Sequence, residues 1–420
     1  MKGTIYIYIF TTISFILLIC LWHIYRNLSY NKNKIIVSND IIFEDTHIDY
    51  KRDILKDQYA PWEFPIKYFV HAPVSTENVE KAIKEITDNT CVKFEKKTEL
   101  NYNEKGLVFY KDTVCSSNVG QLSTKTYQVI KLAPACYKNP YLILHEIGHA
   151  LGLVHEHTRK DRDKYVKINS NNMQNSENLN FKIHNFPVYK NYSTFYDFSS
   201  LMHYGPYAFS TYFRYLFGYK TIESKLEREY DWMMGQRKKM TFNDYKQINL
   251  CYCNSCNWVN NTTGRRTKPT DTTTLCKNGG YPDFKNCSKC ICPTGYTGDL
   301  CDKIVTSDKK CGPTFFNVNK TGIPIILKGK MNCYIFLKTK NGKKISLQIT
   351  YVNAPYNEDV CTEDIAYQIK YRKDKGATGL LLCGHHSRVI TLKSETNSIL
   401  LFYKGISDFS LMIFTFKQAE

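Results

Sequence analysis

A chain of 420 residues is too long for one hydrophobic core and points to two or three domains. Its formal charge of +18 comes from lysines scattered along the chain, with no basic run interleaved with aromatics, which argues against a nucleic-acid partner. The 16 cysteines, most of them at short regular spacings, exclude a reducing compartment and point to disulfides made along a secretory route.

Residues 1–22 begin with Lys2 and pass through an apolar run that includes Phe15, Ile16, Leu17, Leu18 and Ile19, the form of a secretory signal peptide. No small-x-small cleavage site is evident, so an uncleaved membrane anchor is the alternative. Arg26, Lys32 and Lys34 disfavour it, because they put positive charge on the flank that an anchor would have to export. Residues 23–52 are polar, lack the periodicity of a core, and fit a pro-segment ending at the dibasic pair Lys51-Arg52, which suits an activating cut. Beyond it, Ile66–Val70 and Gly106–Tyr110 read as strands, and Glu77–Asp88 between them reads as a helix.

The most informative stretch is His145-Glu146-Ile147-Gly148-His149-Ala150-Leu151-Gly152-Leu153-Val154-His155. Asn139 and Pro140 are the N-cap and first-turn proline of a helix, and Ile143, Leu144, Ile147 and Leu151 give it an apolar face. Histidines four residues apart lie on one helix face, so His145 and His149 can share one metal ion. Gly152 can adopt the left-handed conformation that ends a helix, letting the chain turn and return His155 as a third nitrogen ligand. Three protein ligands leave a fourth position open, which is the mark of a catalytic rather than a structural zinc. Glu146, about 100° around the helix from His145, falls outside the ligand set but within reach of an activated water, as a general base requires.

The motif continues as His155-Glu156-His157-Thr158-Arg159-Lys160-Asp161-Arg162-Asp163. With this extension the sequence resembles the metzincin zinc endopeptidases and, within them, the astacin family. The resemblance implies an α+β catalytic domain over residues 53–256. In it the active-site helix lies between a twisted mixed β-sheet and a mostly irregular lower half, and a sheet edge receives extended substrate. It implies one Zn2+ held by His145, His149 and His155, with Met202 in a turn beneath the metal and Tyr204 steadying the oxyanion. It implies that Glu156 meets the mature N-terminus at Asp53. Asp45, in Phe43-Glu44-Asp45, takes the place of the family's latency aspartate, although the glycine of the family's Phe-x-Gly-Asp is absent. Arg237 either lines the primed-side pocket or is a plain surface arginine. The family's bridges correspond to Cys115–Cys136 and to Cys91 with one of Cys251, Cys253 and Cys256; counting on from Tyr252 favours Cys91–Cys256.

Residues 257–275 are Thr-rich and have the composition of a linker. Residues 276–301 resemble an EGF-like module whose bridges include Cys276–Cys290 and Cys292–Cys301 and whose first cysteine comes from the 251–256 cluster. Residues 311–420 alternate strand-like runs such as Tyr334–Leu337 and Ser398–Tyr403 with polar turns. With Cys311–Cys333 and Cys361–Cys383 as two loops of equal span, they resemble a CUB domain, an all-β sandwich, and Cys251 is then the odd thiol. Glu358, Asp359 and Asp364 are the candidates for calcium ligands in such a domain. Asn191, Asn260, Asn261, Asn286 and Asn319 stand in glycosylation sequons.

The expected function is a secreted zinc endopeptidase, made as a latent precursor, that cuts internal bonds of a protein or peptide substrate. The EGF-like and CUB modules would bind extracellular matrix or a cell surface. The competing expectation is a catalytically idle adhesion or matrix-binding protein that uses those modules alone.

Overall fold

The computed structural model describes residues 54–55, 62–122, 125–174, 179–183, 189–190, 194–258, 276–340, 342–356 and 360–420. Outside them lie the signal and pro-segment, with Asp45, Lys51-Arg52 and Asp53, the linker from 259 to 275, Asn191, Asn260, Asn261, Glu358 and Asp359. Among the described residues no helix is long and apolar enough to cross a membrane.

The first half rests on a four-stranded sheet, in the order Phe94–Lys96, Ile66–Val70, Leu107–Lys111, Gln128–Leu132. Every neighbouring pair in it is parallel. The expectation of a mixed sheet reduces here to one antiparallel bridge, Ser116 to Lys131, at the outer strand. The neighbouring Cys115 is tied to Cys136, and Gly120 turns the chain at a φ of 75°.

Parallel strands need a crossover, and helix α1 (Thr76–Asn89) supplies it. Ser75 accepts from the Asn78 N–H at its start, and Val79, Ala82, Ile83 and Ile86 recur at helical spacing to bury one face. That face packs on α3 (Pro140–Ala150), which follows the short α2 (Pro134–Tyr137). The lower half is mainly irregular; it contains α4 (Tyr212–Leu216) and closes with α5 (Phe242–Tyr252), started by a Thr241/Asp244 capping box.

The end of α5 corrects the expected Cys91–Cys256 bridge: Cys91 bonds to Cys253, and Cys256 bonds to Cys287. Cys253 caps α5, with its N–H on the Asn249 carbonyl at 2.7 Å. There the Asn249 amide also reaches the Asn89 carbonyl at 2.8 Å, which brings the α5 terminus against Cys91. Three residues later, at the end of the 3-10 turn Asn254–Cys256, Cys256 faces the next region instead. Among the described residues Cys251 takes part in none of the seven bridges.

The C-terminal part is rich in disulfides and strands. Two small sheets, Tyr281–Asp283 with Asn286–Ile291 and Tyr296–Thr297 with Lys303–Ile304, are stapled by Cys276–Cys290 and Cys292–Cys301. A larger pair of five-stranded sheets follows. One runs Phe315–Val318, Met331–Thr339, Ser398–Gly405, Tyr367–Lys370, Leu380–Leu382. The other centres on Leu411–Gln418 and Ile345–Asn353, flanked by Ile323–Lys328, His385–His386 and Ile390–Lys393. Alternate residues of Met331–Thr339 turn inward, as an antiparallel strand with one covered face demands. Cys311–Cys333 and Cys361–Cys383 cross-link this part. Its buried Leu337, Ile349, Leu401 and Phe414 belong to the same continuous core as Ile143, Ile147 and Met202 of the first half.

Candidate metal centre and active site

The Asn139 side chain accepts from the Tyr141 N–H at 2.9 Å, and Pro140 follows as the first helical residue of α3. Ile143, Leu144, Ile147 and Leu151 are fully buried, so the helix is held from behind. Gly152 then takes a φ of 100°, a conformation closed to most other residues, and its N–H returns to the His149 carbonyl at 2.7 Å. The turn brings His155 back toward the helix.

The three rings converge. His149 Nε2 is 3.1 Å from His145 Nε2 and 3.2 Å from His155 Nε2. On their far sides His145 Nδ1 donates to the Leu201 carbonyl at 2.9 Å and His149 Nδ1 to the Leu153 carbonyl at 2.8 Å. A neutral imidazole protonated at Nδ1 offers only a lone pair at Nε2. Two such lone pairs facing each other repel, so the His145–His149 contact is not a hydrogen bond and calls for a cation between the rings. Zinc–nitrogen bonds of about 2.1 Å in a tetrahedron place the nitrogens ~3.4 Å apart, close to what is seen. Among the described residues this is the one group of three or more His, Cys, Asp or Glu side chains able to hold a metal. Burial keeps both helix histidines in the ligating form. It pulls His149 down to about 4, against the Leu153 carbonyl and with help from the Arg237 charge. His145 goes well below its ordinary value through burial and the neighbouring His149 and Arg237.

Glu146 is buried on α3 beside these ligands. Met202 lies under the helix: a Cβ on Gly148 would stand 3.0 Å from its sulfur, so the glycine makes room for a soft apolar floor. The turn carrying it is pinned by Asp244, which accepts from the Ser200 hydroxyl at 2.6 Å and from the Leu201 N–H at 3.0 Å. Tyr204 is buried, with its ring 4.3 Å from that of His155 and stacked at 4.1 Å on His157. Glu156 accepts from the Asp197 N–H at 2.8 Å and stands 3.4 Å from Arg159.

Several further groups surround the site. His203 bonds Tyr196 OH at 2.5 Å, and burial lowers it to about 3. Arg237 is half-buried, with Nη1 on the His203 carbonyl at 3.0 Å, so it is not a plain surface arginine. Asp197 and the buried His157 carry no motif of their own and become visible only through their neighbours. Asp364 pairs with Lys239 at 2.8 Å, and the two acids expected beside it for calcium lie outside the described residues.

Residues 54–253 match the model of the astacin family of peptidases. Over these residues the chain is an astacin-family peptidase domain. The three-histidine zinc site is typical of astacins. The chain is 30% identical over 367 residues to zinc metalloproteinase nas-34 of Caenorhabditis elegans, covering 85% of this chain and 56% of that one. It is 29% identical to blastula protease 10 of Paracentrotus lividus, covering 81% and 55%. It thus spans a little over half the length of these curated relatives. Among solved structures it resembles high choriolytic enzyme 1, a hatching-enzyme zinc protease of Oryzias latipes, at 30% identity with a TM-score of 0.40, over 46% of this chain and 92% of that one.

Proposed function

We propose that this astacin is a secreted zinc endopeptidase, made as a latent precursor, that hydrolyses internal peptide bonds of an extended protein substrate. The observation that carries the reading is the convergence of the three Nε2 atoms of His145, His149 and His155 beside the buried Glu146. Zinc, when bound, supplies Lewis acidity to the scissile carbonyl and the attacking water. His145, His149 and His155 hold it. Glu146 takes the proton of the water at a carboxylate oxygen and passes it to the leaving amide nitrogen. Tyr204 donates its phenol proton in a hydrogen bond to the oxyanion as charge develops there. Met202 keeps the imidazoles in place from below.

The domain plan follows the same reading. Residues 1–22 are the signal, 23–52 the pro-segment with Asp45 as latency residue, and 53–256 the peptidase, whose mature N-terminus meets Glu156. After the linker 257–275, residues 276–301 form an EGF-like module and 311–420 a CUB domain that contact matrix, cell surface or substrate. Support comes from the bridges Cys256–Cys287, Cys276–Cys290 and Cys292–Cys301 in the small module. For the CUB reading it comes from two five-stranded sheets with bridges of equal separation, 22 residues each.

Casein hydrolysis by the purified, processed, zinc-loaded protein tests the activity, with Glu146→Ala as control. Hydrolysis that depends on Glu146 is the expected result. Equal activity in both removes Glu146 from the mechanism, and no hydrolysis in either leaves the chain as an idle adhesion protein.

A further inference from the structure

In the C-terminal sheets a loop, residues 371–379, joins the strands Tyr367–Lys370 and Leu380–Leu382. It packs against the segment that leads into the methionine turn, and three consecutive residues of that segment are each held by a different loop side chain. Asp374 accepts from the Phe195 N–H at 3.0 Å. Arg372 Nη1 donates to the Tyr196 carbonyl at 2.8 Å. The Asp197 carboxylate accepts from the Thr378 N–H at 3.0 Å and from its hydroxyl at 3.1 Å.

The loop is stiff enough to hold something. Lys370 Nζ donates to the carbonyls of Lys375 and Ala377, and Lys375 Nζ donates to those of Lys370 and Ser398, so two buried ammonium groups are solvated by the backbone around them. Asp374 also accepts from the Gly376 N–H at 2.9 Å and from the Asn243 amide of α5 at 3.1 Å. A Cβ on Gly376 would stand 2.8 Å from the Asn243 side-chain oxygen, so glycine permits the approach. The Arg372 guanidinium lies 4.9 Å from the centre of the Tyr165 ring and 5.9 Å from that of Phe198.

The gripped segment leads directly to the metal ligands. The Asp197 N–H donates to Glu156, and the Glu156 N–H donates to the Met202 carbonyl at 3.0 Å. One residue earlier, Leu201 offers the carbonyl that orients His145.

We propose that Arg372, Asp374 and Thr378 are positioning residues of the peptidase site. The C-terminal region is then a built-in clamp that sets the turn from Phe195 to Tyr204, and through it the His145 ring and the methionine floor. It is more than a tethered module for collecting substrate. The activity arm of this idea rests on the peptidase reading; the metal-retention arm does not. Partners that orient metal ligands through hydrogen bonds are worth about 10- to 100-fold in metal affinity or activity, and a displacement of about 1 Å costs a similar factor in rate.

The test uses the full processed chain. Thr378→Val removes one bond to Asp197 at nearly constant volume, Thr378→Ser restores the hydroxyl, Arg372→Ala releases Tyr196, and Lys373→Ala changes an exposed neighbour as control. Four quantities are read: the melting temperature, kcat and KM on a peptide substrate, and the rate at which zinc passes to dipicolinate well below the melt. Thr378→Val and Arg372→Ala should lower kcat and speed zinc release by about tenfold or more with KM little changed. Thr378→Ser and Lys373→Ala should match wild type. Folded Thr378→Val and Arg372→Ala proteins with wild-type kcat and zinc release overturn the clamp. Should Arg372→Ala not fold, the Thr378 pair decides alone. A wild type that retains zinc but cleaves no peptide sinks the peptidase reading, and zinc release in the variants still decides the clamp.

Discussion

The Nδ1 of His145 stands 2.9 Å from the carbonyl oxygen of Leu201, a residue 56 positions further along the chain. His149 repeats the arrangement locally, with Nδ1 2.8 Å from the Leu153 carbonyl. A carbonyl can only accept, so both rings carry their proton on Nδ1 before any metal arrives. Nitrogen-15 correlation spectra of the metal-free protein near pH 7 should therefore show the Nδ1–H tautomer for both. An Nε2–H signal from either ring would contradict the preformed site.

The buried histidines also make metal-free stability depend on pH. His149 titrates at about 4 in the fold and at about 6.5 unfolded. Between those values the unfolded chain binds a proton that the folded chain refuses, so this group's contribution to stability is full above about pH 6.5 and falls as the pH drops toward 4. A His149→Gln protein has nothing to protonate there. In urea titrations of metal-free protein, it should gain about 2 kcal/mol relative to wild type on going from pH 7 to pH 5. A relative stability that stays flat across that interval would mean the imidazole is not shielded as the fold requires.

Tyr204 separates oxyanion stabilisation from metal holding. Its ring packs on His155 and His157 inside the core, and a phenylalanine keeps that packing while losing only the hydroxyl. Loss of a single oxyanion donor costs about 10²- to 10³-fold in kcat. Tyr204→Phe should show a fall of that order, with unchanged zinc content by atomic absorption and KM within a few-fold. An unchanged kcat would leave Tyr204 as a core ring only.

What could be read from the sequence was local. Three ligands, their glutamate and the glycine that turns the chain fall within eleven residues of the Tyr141–Asp163 stretch, where helical periodicity alone predicts which side chains share a face. The two strands and the helix read between Ile66 and Tyr110 came within a residue, again from local periodicity. The parallel character of the sheet did not, because pairing direction is set by the α1 crossover and not by the strands' own residues. Least visible was the loop from Arg372 to Thr378, whose charged composition looks like a solvated turn. Its partners lie about 180 residues upstream, and only the packing of the two halves reveals them.

The choice between Cys253 and Cys256 is decided by where α5 ends, and it can be tested chemically. Cys91–Cys253 ties α1 to the end of α5 across a separation of 162 residues, whereas Cys256–Cys287 closes only 31. Blocking free thiols under denaturing, non-reducing conditions and mapping the labelled peptides should find Cys91 newly labelled in Cys253→Ser. In Cys256→Ser, Cys91 should stay protected and Cys287 should be labelled. The stabilities should differ too, since chain-entropy estimates give about 5 kcal/mol for the longer closure and about 4 for the shorter. The first falls on the peptidase, whose closing helix packs beside the metal site, so Cys253→Ser should lower its melting temperature and its zinc retention together. Cys256→Ser should loosen the small disulfide-rich region and leave zinc retention near wild type. Labelling of Cys91 in Cys256→Ser but not in Cys253→Ser would restore the alternative pairing and move the end of the peptidase three residues along the chain.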